Sequence, residues 1–176
     1  MGCLNCELAC AVAHSKSKDL LGAIEEGAEP RVDVVPFGQR AIPLQCRHCE
    51  DAPCVAVCPT GALQKHQPEA PVLIDQDLCI GCKSCMLVCP FGVISLSTRG
   101  KAIVKCDLCV ERLAQGQEPA CVEACPTGAL KFGTLEEYLA SVRARAAAEM
   151  GQAADAQTTA GQGGLVAPAE GGGGAE

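Results

Sequence analysis

The sequence predicts a small α+β fold in which two cysteine-rich units of short helices and short β-hairpins precede a C-terminal helix and a disordered tail. Three observations predict this arrangement: cysteines in tight groups, short β-branched runs between the groups, and a glycine- and alanine-rich end. We expect the cysteine-rich domain to occupy residues 1–133, the helix residues 134–150 and the tail residues 151–176.

The composition limits what can hold such a fold together. Among 176 residues there are 15 cysteines but no Trp, one Tyr and three Phe, so the large side chains that usually dominate a core are scarce. The number of cysteines is odd, and many lie two or three residues apart, which is the spacing of metal ligands rather than of loop-closing disulfides. The formal net charge of −7 argues against a nucleic acid as partner.

Four groups account for all 15 cysteines. Three groups end in C-x3-C-P and contain four cysteines each: Cys46, Cys49, Cys54 and Cys58; Cys79, Cys82, Cys85 and Cys89; and Cys106, Cys109, Cys121 and Cys125. The first group reads C-x2-C-x3-C and contains Cys3, Cys6 and Cys10. In the other three groups the closing cysteine begins the sequence C-P-T-G-A-L or C-P-F-G-V-I, so the chain contains an internal repeat.

The third group has the spacing C-x2-C-x2-C-x3-C-P, which is typical of bacterial proteins with two [4Fe–4S] clusters. In that arrangement three cysteines in a tight loop bind one cluster, and the fourth, one helical turn later, binds the other. Proline then ends the turn because it cannot continue a helix. Gly81 lies inside the loop, where the missing side chain lets backbone N–H groups approach the cluster. The sequence therefore predicts [4Fe–4S] clusters.

Zinc is the alternative metal. A zinc ribbon uses two C-x2-C pairs that lie far apart, and only the fourth group, with its two halves widely separated, has that form. In the second and third groups the third cysteine follows too early. We therefore favour iron–sulfur clusters over a zinc-binding structural module, and we expect a brown rather than a colourless protein.

The first group is one cysteine short. Placing Cys3 on Cys82 aligns the first group with the third, and the position of Cys79 then falls one residue before Met1. We expect Met1 to be an internal methionine of a longer protein that has a cysteine directly before it. The alternative is that three thiolates hold a [3Fe–4S] cluster, or that this cluster is missing.

The second group, Q-C-R-H-C-E-D-A-P-C, and the long spacing of the fourth resemble a family of four-cluster, ferredoxin-like electron-transfer subunits. These subunits serve DMSO reductases, formate dehydrogenases, hydrogenases and carbon monoxide dehydrogenases. The resemblance extends from Met1 to about Leu130. Within the family, C-E-L-A-C-A-V-A-H-S followed by a short insert is most similar to the iron–sulfur subunit of carbon monoxide dehydrogenase.

The resemblance implies that the second group pairs with the third and the first with the fourth, each closing cysteine completing the partner group's cluster. Four [4Fe–4S] clusters in the full-length protein would then have these ligands: Cys46, Cys49, Cys54 and Cys89; Cys79, Cys82, Cys85 and Cys58; Cys106, Cys109, Cys121 and Cys10; and Cys3, Cys6 and Cys125 with the upstream cysteine. The sequence alone also permits sequential pairing of the first group with the second and the third with the fourth.

No nucleophile–base pair, phosphate loop or dinucleotide-binding fingerprint occurs in the sequence, which favours an electron carrier over an enzyme with a substrate site of its own. The resemblance implies a catalytic redox subunit as partner. Carbon monoxide dehydrogenase is favoured, with a hydrogenase or ferredoxin-type acceptor on the other side; a formate dehydrogenase or another pterin oxidoreductase is the alternative. Without an apolar stretch of 18 residues, we expect no membrane span and a cytoplasmic protein, free or docked on a membrane-bound complex.

Secondary structure is expected mainly between the groups. Short strands are predicted at 32–35, 72–75, 93–97 and 102–105, each too short to be stable unless it packs on a cluster. Thr134 and Glu137 form a capping-box pattern ahead of a helix from Leu135 to about Met150. Because iron–thiolate bonds replace most of the core, loss of the clusters should unfold the domain.

The remaining titratable residues near the cysteines have simpler interpretations. The histidines lack evident partner groups, and we expect structural or solvent-facing roles for His14, His48 and His66. Three basic residues flank cluster cysteines, and we interpret them as solvated surface charges, with an effect on the neighbouring cluster's potential as the alternative: Arg47, Lys83 and Lys105.

Overall fold

The computed structural model describes residues 2–98 and 102–161, and the chain divides into two units, Met1–Phe132 and Gly133–Glu176. Within the described residues the first unit contains short helices and two-stranded antiparallel sheets, and the second contains one long helix. This confirms the predicted α+β class. The elements are α1 (Asn5–Ala13), α2 (Leu20–Glu25), β1 (Val32–Phe37), β2 (Arg40–Gln45), α3 (Pro53–Ala56), β3 (Leu63–Gln64), β4 (Leu73–Ile74), α4 (Ser84–Val88), β5 (Ser95–Leu96), β6 (Ile103–Val104), α5 (Val110–Ala114), α6 (Ala120–Glu123) and α7 (Leu135–Gly161).

A short helix carries the third cysteine of each group that ends in Cys-Pro. Cys54 lies in α3, Cys85 in α4 and Cys121 in α6, and each helix ends before the proline that follows the closing cysteine. In the first group an alanine follows Cys10 in place of proline, and α1 accordingly continues past Cys10 to Ala13. The residue after the closing cysteine therefore sets the length of each helix.

Three hairpins connect the cysteine groups within the described residues. In the longest, β1 pairs with β2 from Val32↔Gln45 to Phe37↔Arg40, and Gly38 has a φ of 58° in the turn. In the other two hairpins only two residues of each strand pair, so β4, β5 and β6 are shorter than predicted, and β3 was not predicted. Strand β2 was not predicted; it contains Pro43, which a two-stranded sheet tolerates because each strand has a free edge.

The apolar core of the first unit lies beneath β3, β4 and β6. It is formed by buried side chains that share one cluster: Cys54, Leu63, Val72, Cys85, Ile94 and Ile103. Burying one side chain of the size of Val or Ile contributes about 1.5–3 kcal/mol. Two cysteines, Cys54 and Cys85, are thus part of the core itself, and the packing of the core holds them in place.

The second unit begins with the predicted capping box. The Thr134 N–H donates to Glu137 Oε2 at 2.8 Å, and the Glu137 N–H donates to Thr134 Oγ1 at 3.2 Å. The helix α7 does not end near Met150 but continues to Gly161, so the predicted boundary at 150 is wrong. Alanine and glutamine propagate an exposed helix by intrinsic propensity without burying a face.

The rest of the predicted tail, residues 162–176, lies outside the described residues. Among the described helices, none is both long and apolar enough to cross a membrane.

Candidate metal centres

The backbone of three cysteine loops is left-handed at the same position, the residue directly before the second cysteine of the first C-x2-C pair. The φ angle is 46° at His48, 69° at Gly81 and 63° at Leu108. For a residue with a side chain this conformation costs on the order of 1 kcal/mol or more. In two of the loops it directs an amide at sulfur: the N–H groups of His48 and Leu108 donate to the Sγ atoms of Cys46 and Cys106, each at 3.4 Å.

The turn after each closing cysteine is also repeated within the protein. Gly61, Gly92 and Gly128 have φ angles of 66°, 62° and 61°, and their N–H groups donate to the carbonyl of the preceding closing cysteine at 3.4, 3.3 and 3.2 Å. A Cβ atom added at any of the three would meet no atom within 4 Å. The left-handed backbone, rather than a lack of space, therefore requires glycine in the C-P-x-G motif.

These turns favour the thiolate form of the closing cysteines. Backbone N–H groups, first that of Leu130, together with the Thr127 hydroxyl lower the pKa of Cys125 to about 7. Burial raises the pKa of Cys58, but backbone N–H groups, first that of Leu63, outweigh it and hold the pKa below 9.0. Since the thiolate is the form that binds metals, the C-P-T-G turns prepare both cysteines as ligands.

A small cavity opens where the second and third groups meet. Helices α3 and α4 pack against each other on this side of the first unit. Among the described residues, no acidic side chain lines this cavity. Its lining consists of Cys58, Thr60, Ala62, Leu63, Ile74, Cys79, Ile80, Gly81, Cys82, Lys83, Cys85 and Ile103. One cysteine from the second group and three from the third thus surround a single, largely apolar space.

A second meeting of these groups involves Cys54. Burial is the main factor that raises the pKa of the Cys54 thiol, and the neighbouring thiolates of Cys46 and Cys89 raise it further. In the loop of the second group, the carbonyls of His48 and Cys49 accept hydrogen bonds from Lys65 Nζ at 3.1 and 3.0 Å. Cys89 also packs against the core cluster that contains Cys54, so the closing cysteine of the third group lies near a cysteine of the second.

The first and fourth groups meet in the same way. Helix α1 packs against α6. Burial raises the pKa of Cys121 to about 11, with the thiolates of Cys10 and Cys109 adding to the shift, and burial raises the pKa of Cys106 to about 12. Cys10 is buried, and its Sγ atom accepts a hydrogen bond from the Arg31 N–H at 3.2 Å. Cys3, in contrast, is exposed.

His14 has partners that the sequence did not reveal, so the interpretation that it lacks them is wrong. Its Nδ1 lies 2.7 Å from the Cys10 carbonyl oxygen and 3.6 Å from Cys10 Sγ, and its Nε2 lies 3.1 Å from Asp107 Oδ1. The other carboxylate oxygen of Asp107 pairs with Arg31. Burial lowers the pKa of His14, but the hydrogen bond to Asp107 and those to cysteines outweigh it and raise the pKa to about 12.

One signal for this cluster was present in the sequence, because His14 follows Cys10 by four residues and so lies on the same face of a helix. Nothing in the sequence indicated that Arg31 would join it. The other two histidines agree with a structural or exposed role. His48 Nδ1 accepts a hydrogen bond from the Val72 N–H at 3.0 Å, and His66 is exposed.

Two of the three flanking basic residues are exposed as expected, namely Arg47 and Lys83. Lys105 is not: only 2% of it is exposed, so its interpretation as a solvated surface charge is wrong. Its Nζ donates to the carbonyl of Val72 and, at 2.9 Å, to that of Cys106. The alternating run around β6 was compatible with either face, and the tertiary packing places Lys105 inside.

The spacing of the sulfur atoms separates the two candidate metals. Tetrahedral zinc with Zn–S bonds of about 2.3 Å places its sulfurs about 3.8 Å apart. In residues 2–98 and 102–161, no three cysteine sulfurs lie within 4.8 Å of one another; the trio that meets this limit is His14, Asp107 and Cys109. Among the described residues, the cysteine sets are therefore not drawn together at the sulfur spacing of a tetrahedral zinc site.

Comparison with known proteins agrees with this geometry. Residues 39–135 match the family model described as a 4Fe-4S dicluster domain. The chain belongs to this family. The dicluster match covers the second, third and fourth cysteine groups and ends at the start of α7.

Relatives of this dicluster protein carry related names. The chain is 45% identical to an iron-sulfur protein of Rhodospirillum rubrum in an alignment of 165 positions that covers 85% of each protein. It is 42% identical to the putative electron transport protein YsaA of Escherichia coli, covering 78% of this chain and 85% of the relative. It is 37% identical to the B component of the anaerobic dimethyl sulfoxide reductase of E. coli, covering 77% of this chain and 69% of the relative.

As a dicluster family member, this chain is an iron–sulfur electron-transfer protein. It binds multiple [4Fe–4S] clusters, which its 15 cysteines and the dicluster match support. The prediction of the cofactor from cysteine spacing is confirmed. The assignment of each cysteine to a particular cluster stays a prediction and is argued below.

Proposed function

We propose that this chain is the electron-transfer subunit of an oxidoreductase complex and has no substrate site of its own. It relays single electrons between a catalytic redox subunit and a second redox protein. The observation that carries the proposal is the cavity shared by Cys58 and three cysteines of the third group. It is apolar and lined by thiols, which suits a redox cluster better than a substrate that must be recognised by polar groups.

The proposed ligand sets cross between groups. Cys58 completes the set of Cys79, Cys82 and Cys85, which is supported by the cavity that all four line. The set of Cys46, Cys49, Cys54 and Cys89 is supported by the thiolates of Cys46 and Cys89, which both raise the pKa of Cys54. The set of Cys106, Cys109, Cys121 and Cys10 is supported by the thiolates of Cys10 and Cys109, which both raise the pKa of Cys121. The fourth set in this sequence comprises Cys3, Cys6 and Cys125 and rests on the family resemblance.

Clusters bound at these sites would supply one-electron carriers, and the polypeptide determines their spacing and surroundings. Backbone N–H groups of His48, Leu108 and Arg31 hydrogen-bond to ligand sulfurs, which stabilises the thiolates against loss. Leu63, Ile74 and Ile103 exclude water from the cavity of the Cys79 set. The chain thus positions and insulates the carriers.

The favoured partner is carbon monoxide dehydrogenase, with a hydrogenase or ferredoxin-type protein as acceptor. This proposal rests on the resemblance of C-E-L-A-C-A-V-A-H-S at the first group. A pterin oxidoreductase is the second candidate, because the relatives include a component of an anaerobic dimethyl sulfoxide reductase.

Metal analysis tests the carrier function. Protein purified without oxygen should be brown and contain close to four clusters' worth of iron and acid-labile sulfide when the full-length chain is used. Stoichiometric zinc without acid-labile sulfide would refute the proposal and favour a zinc-binding structural module.

A reduction assay separates the candidate partners. Cluster absorbance should bleach when the protein is mixed with carbon monoxide dehydrogenase and carbon monoxide. Formate dehydrogenase with formate should reduce it much more slowly. The opposite order of rates would contradict the favoured partner and support the pterin oxidoreductase.

A further inference from the structure

Lys105 is a buried basic residue whose charge the carrier function leaves unexplained. Only 2% of the residue is exposed, yet lysine is almost never fully buried unless it is paired. Within residues 2–98 and 102–161, no carboxylate forms an ion pair with it. A buried ammonium without a counter-charge is strongly destabilised, so an anionic group is required nearby.

The surroundings of Lys105 belong to two different ligand sets. Its Nζ atom donates to the Cys106 carbonyl at 2.9 Å, which ties it to the set that contains Cys106. It also donates to the Val72 carbonyl, and the Val72 N–H donates at 3.0 Å to His48, which lies between Cys46 and Cys49. The ammonium group therefore lies between the loop of one set and the loop of another.

The electrostatics agree with this position. Burial is the main factor acting on Lys105 and lowers its pKa. Anionic groups oppose this effect and raise the pKa: the thiolates of Cys46, Cys106 and Cys54, in that order, and after them the Asp107 carboxylate, which is itself paired with His14 and Arg31. Two of these cysteines belong to one proposed set and one to the other, so both sets favour the charged form of the lysine.

We propose that the ammonium group of Lys105 is the counter-charge shared by two neighbouring clusters, those of the Cys46 set and the Cys106 set. This inference rests on the proposed ligand sets. A positive charge stabilises the more negative, reduced form of each cluster, so Lys105 raises both reduction potentials together. Because Lys105 lies between the two ligand sets, its charge would act on both the donor and the acceptor of an electron passed between them.

Lys105 acts on both clusters of one electron-transfer step. Its expected signature is therefore a joint shift of two reduction potentials. Since both potentials are raised together, the step stays nearly balanced in energy. A lysine beside only one cluster would raise one potential and unbalance the step. Lys65 offers that comparison, because its two acceptor carbonyls, those of His48 and Cys49, both lie in the loop of the Cys46 set.

Redox titration of the complete protein, followed by EPR, tests the proposal. Signals are assigned with ligand variants such as Cys89→Ser and Cys10→Ser. Lys105→Gln removes the charge but keeps an N–H donor. It should disfavour reduction of both flanking clusters by at least about tenfold in the equilibrium constant, about 59 mV for one electron. The cluster of the Cys79 set should change much less, and Lys105→Arg should keep both potentials near those of the wild type.

The control variant is Lys65→Gln. Lys65→Gln should shift at most the signal of the Cys46 set; a shift of the same two signals would overturn the proposal. Unchanged potentials in Lys105→Gln would overturn it as well. If Lys105→Gln loses iron instead, the proposal requires that the loss be confined to these two clusters and that Lys105→Arg retain them; loss in both variants would overturn it.

The carrier function and the role of Lys105 can fail independently of each other. If the wild-type protein lacks iron and sulfide, the proposed function fails. If it carries the clusters but Lys105→Gln leaves the two potentials unchanged, only the role of Lys105 fails.

Discussion

The two halves of the first unit use different forces for the same task. The apolar half comprises the second and third cysteine groups with β3–β6, and branched side chains such as Val72 and Ile103 form its core. The charged half comprises the first and fourth groups with Arg31, and an Arg31–Asp107–His14 network ties them together. Its small buried residues include Ala23 and Ala120.

The difference shows how a repeated ligand pattern tolerates different support. Hydrophobic burial needs bulky side chains close in space, and the two hairpins of the apolar half supply them. In the charged half a single hairpin and an insert replace them, and a half-buried ion network joins α1 to the loop of the fourth group. We therefore expect the halves to respond differently to pH and to core mutations.

Removal of the metal should have the largest effect and should not spare either half. Chelation of iron under reducing conditions is expected to unfold residues 2–132, because the cores of both halves include cysteine ligands. Hydrogen exchange should show loss of protection in both halves. Retained protection in the apolar half alone would mean that its core is sufficient without clusters.

Loss of a closing cysteine should remove one cluster in the opposite group. Cys58→Ala should damage the cluster of Cys79, Cys82 and Cys85, while the cluster of its own group keeps its ligands. The matched variant Cys10→Ala should damage the cluster of the fourth group. EPR and iron content measure this, and loss of the Cys46 cluster in Cys58→Ala would contradict the crossed sets.

A core truncation should distinguish the halves by stability. Ile103→Ala should lower the free energy of unfolding by about 2–5 kcal/mol, because it leaves a cavity in the apolar half. Leu87→Ala is the control: Leu87 is 87% exposed and should change stability by about 0.5 kcal/mol or less. Anaerobic urea unfolding followed by cluster absorbance measures both, and equal effects would contradict the assignment of the core.

Asp107→Asn should have the smallest effect and one that depends on pH. It weakens the hydrogen bonds to His14 and Arg31, and we expect a loss of about 2 kcal/mol, since hydrogen bonds to charged groups contribute about 1.5–3 kcal/mol.

The sign follows from the two pKa shifts of this network. Burial raises the pKa of Asp107, but His14 and Arg31 outweigh it and hold the pKa well below 3.8, so its contribution is complete above pH 3.8 and is lost on acidification. The pKa of His14 is raised, so its contribution is complete below pH 6.5 and declines as the pH rises. The difference between variant and wild type should therefore be largest between pH 3.8 and 6.5. A difference independent of pH would show that the network is not ionic.

The sequence by itself determined the class of cofactor and supplied the candidate ligand residues. Spacing along the chain is a local property: C-x2-C places two thiols in one loop, and C-x3-C-P places a third and fourth one helical turn apart. Left-handed Gly81 and the capping box of Thr134 were predictable for the same reason, because each depends on a few neighbouring residues. The length of α7 was misjudged because burial was weighed above helix propensity.

Only the tertiary structure decided which distant segments meet. The packing of α1 on α6 and of α3 on α4 depends on contacts between segments far apart in the chain, and the cysteine spacing is the same for crossed and sequential pairing. The burial of Lys105 and the partnership of His14 with Asp107 have the same origin. A charged side chain is read from sequence as solvated, and only the surrounding fold can place it inside and supply its counter-charge.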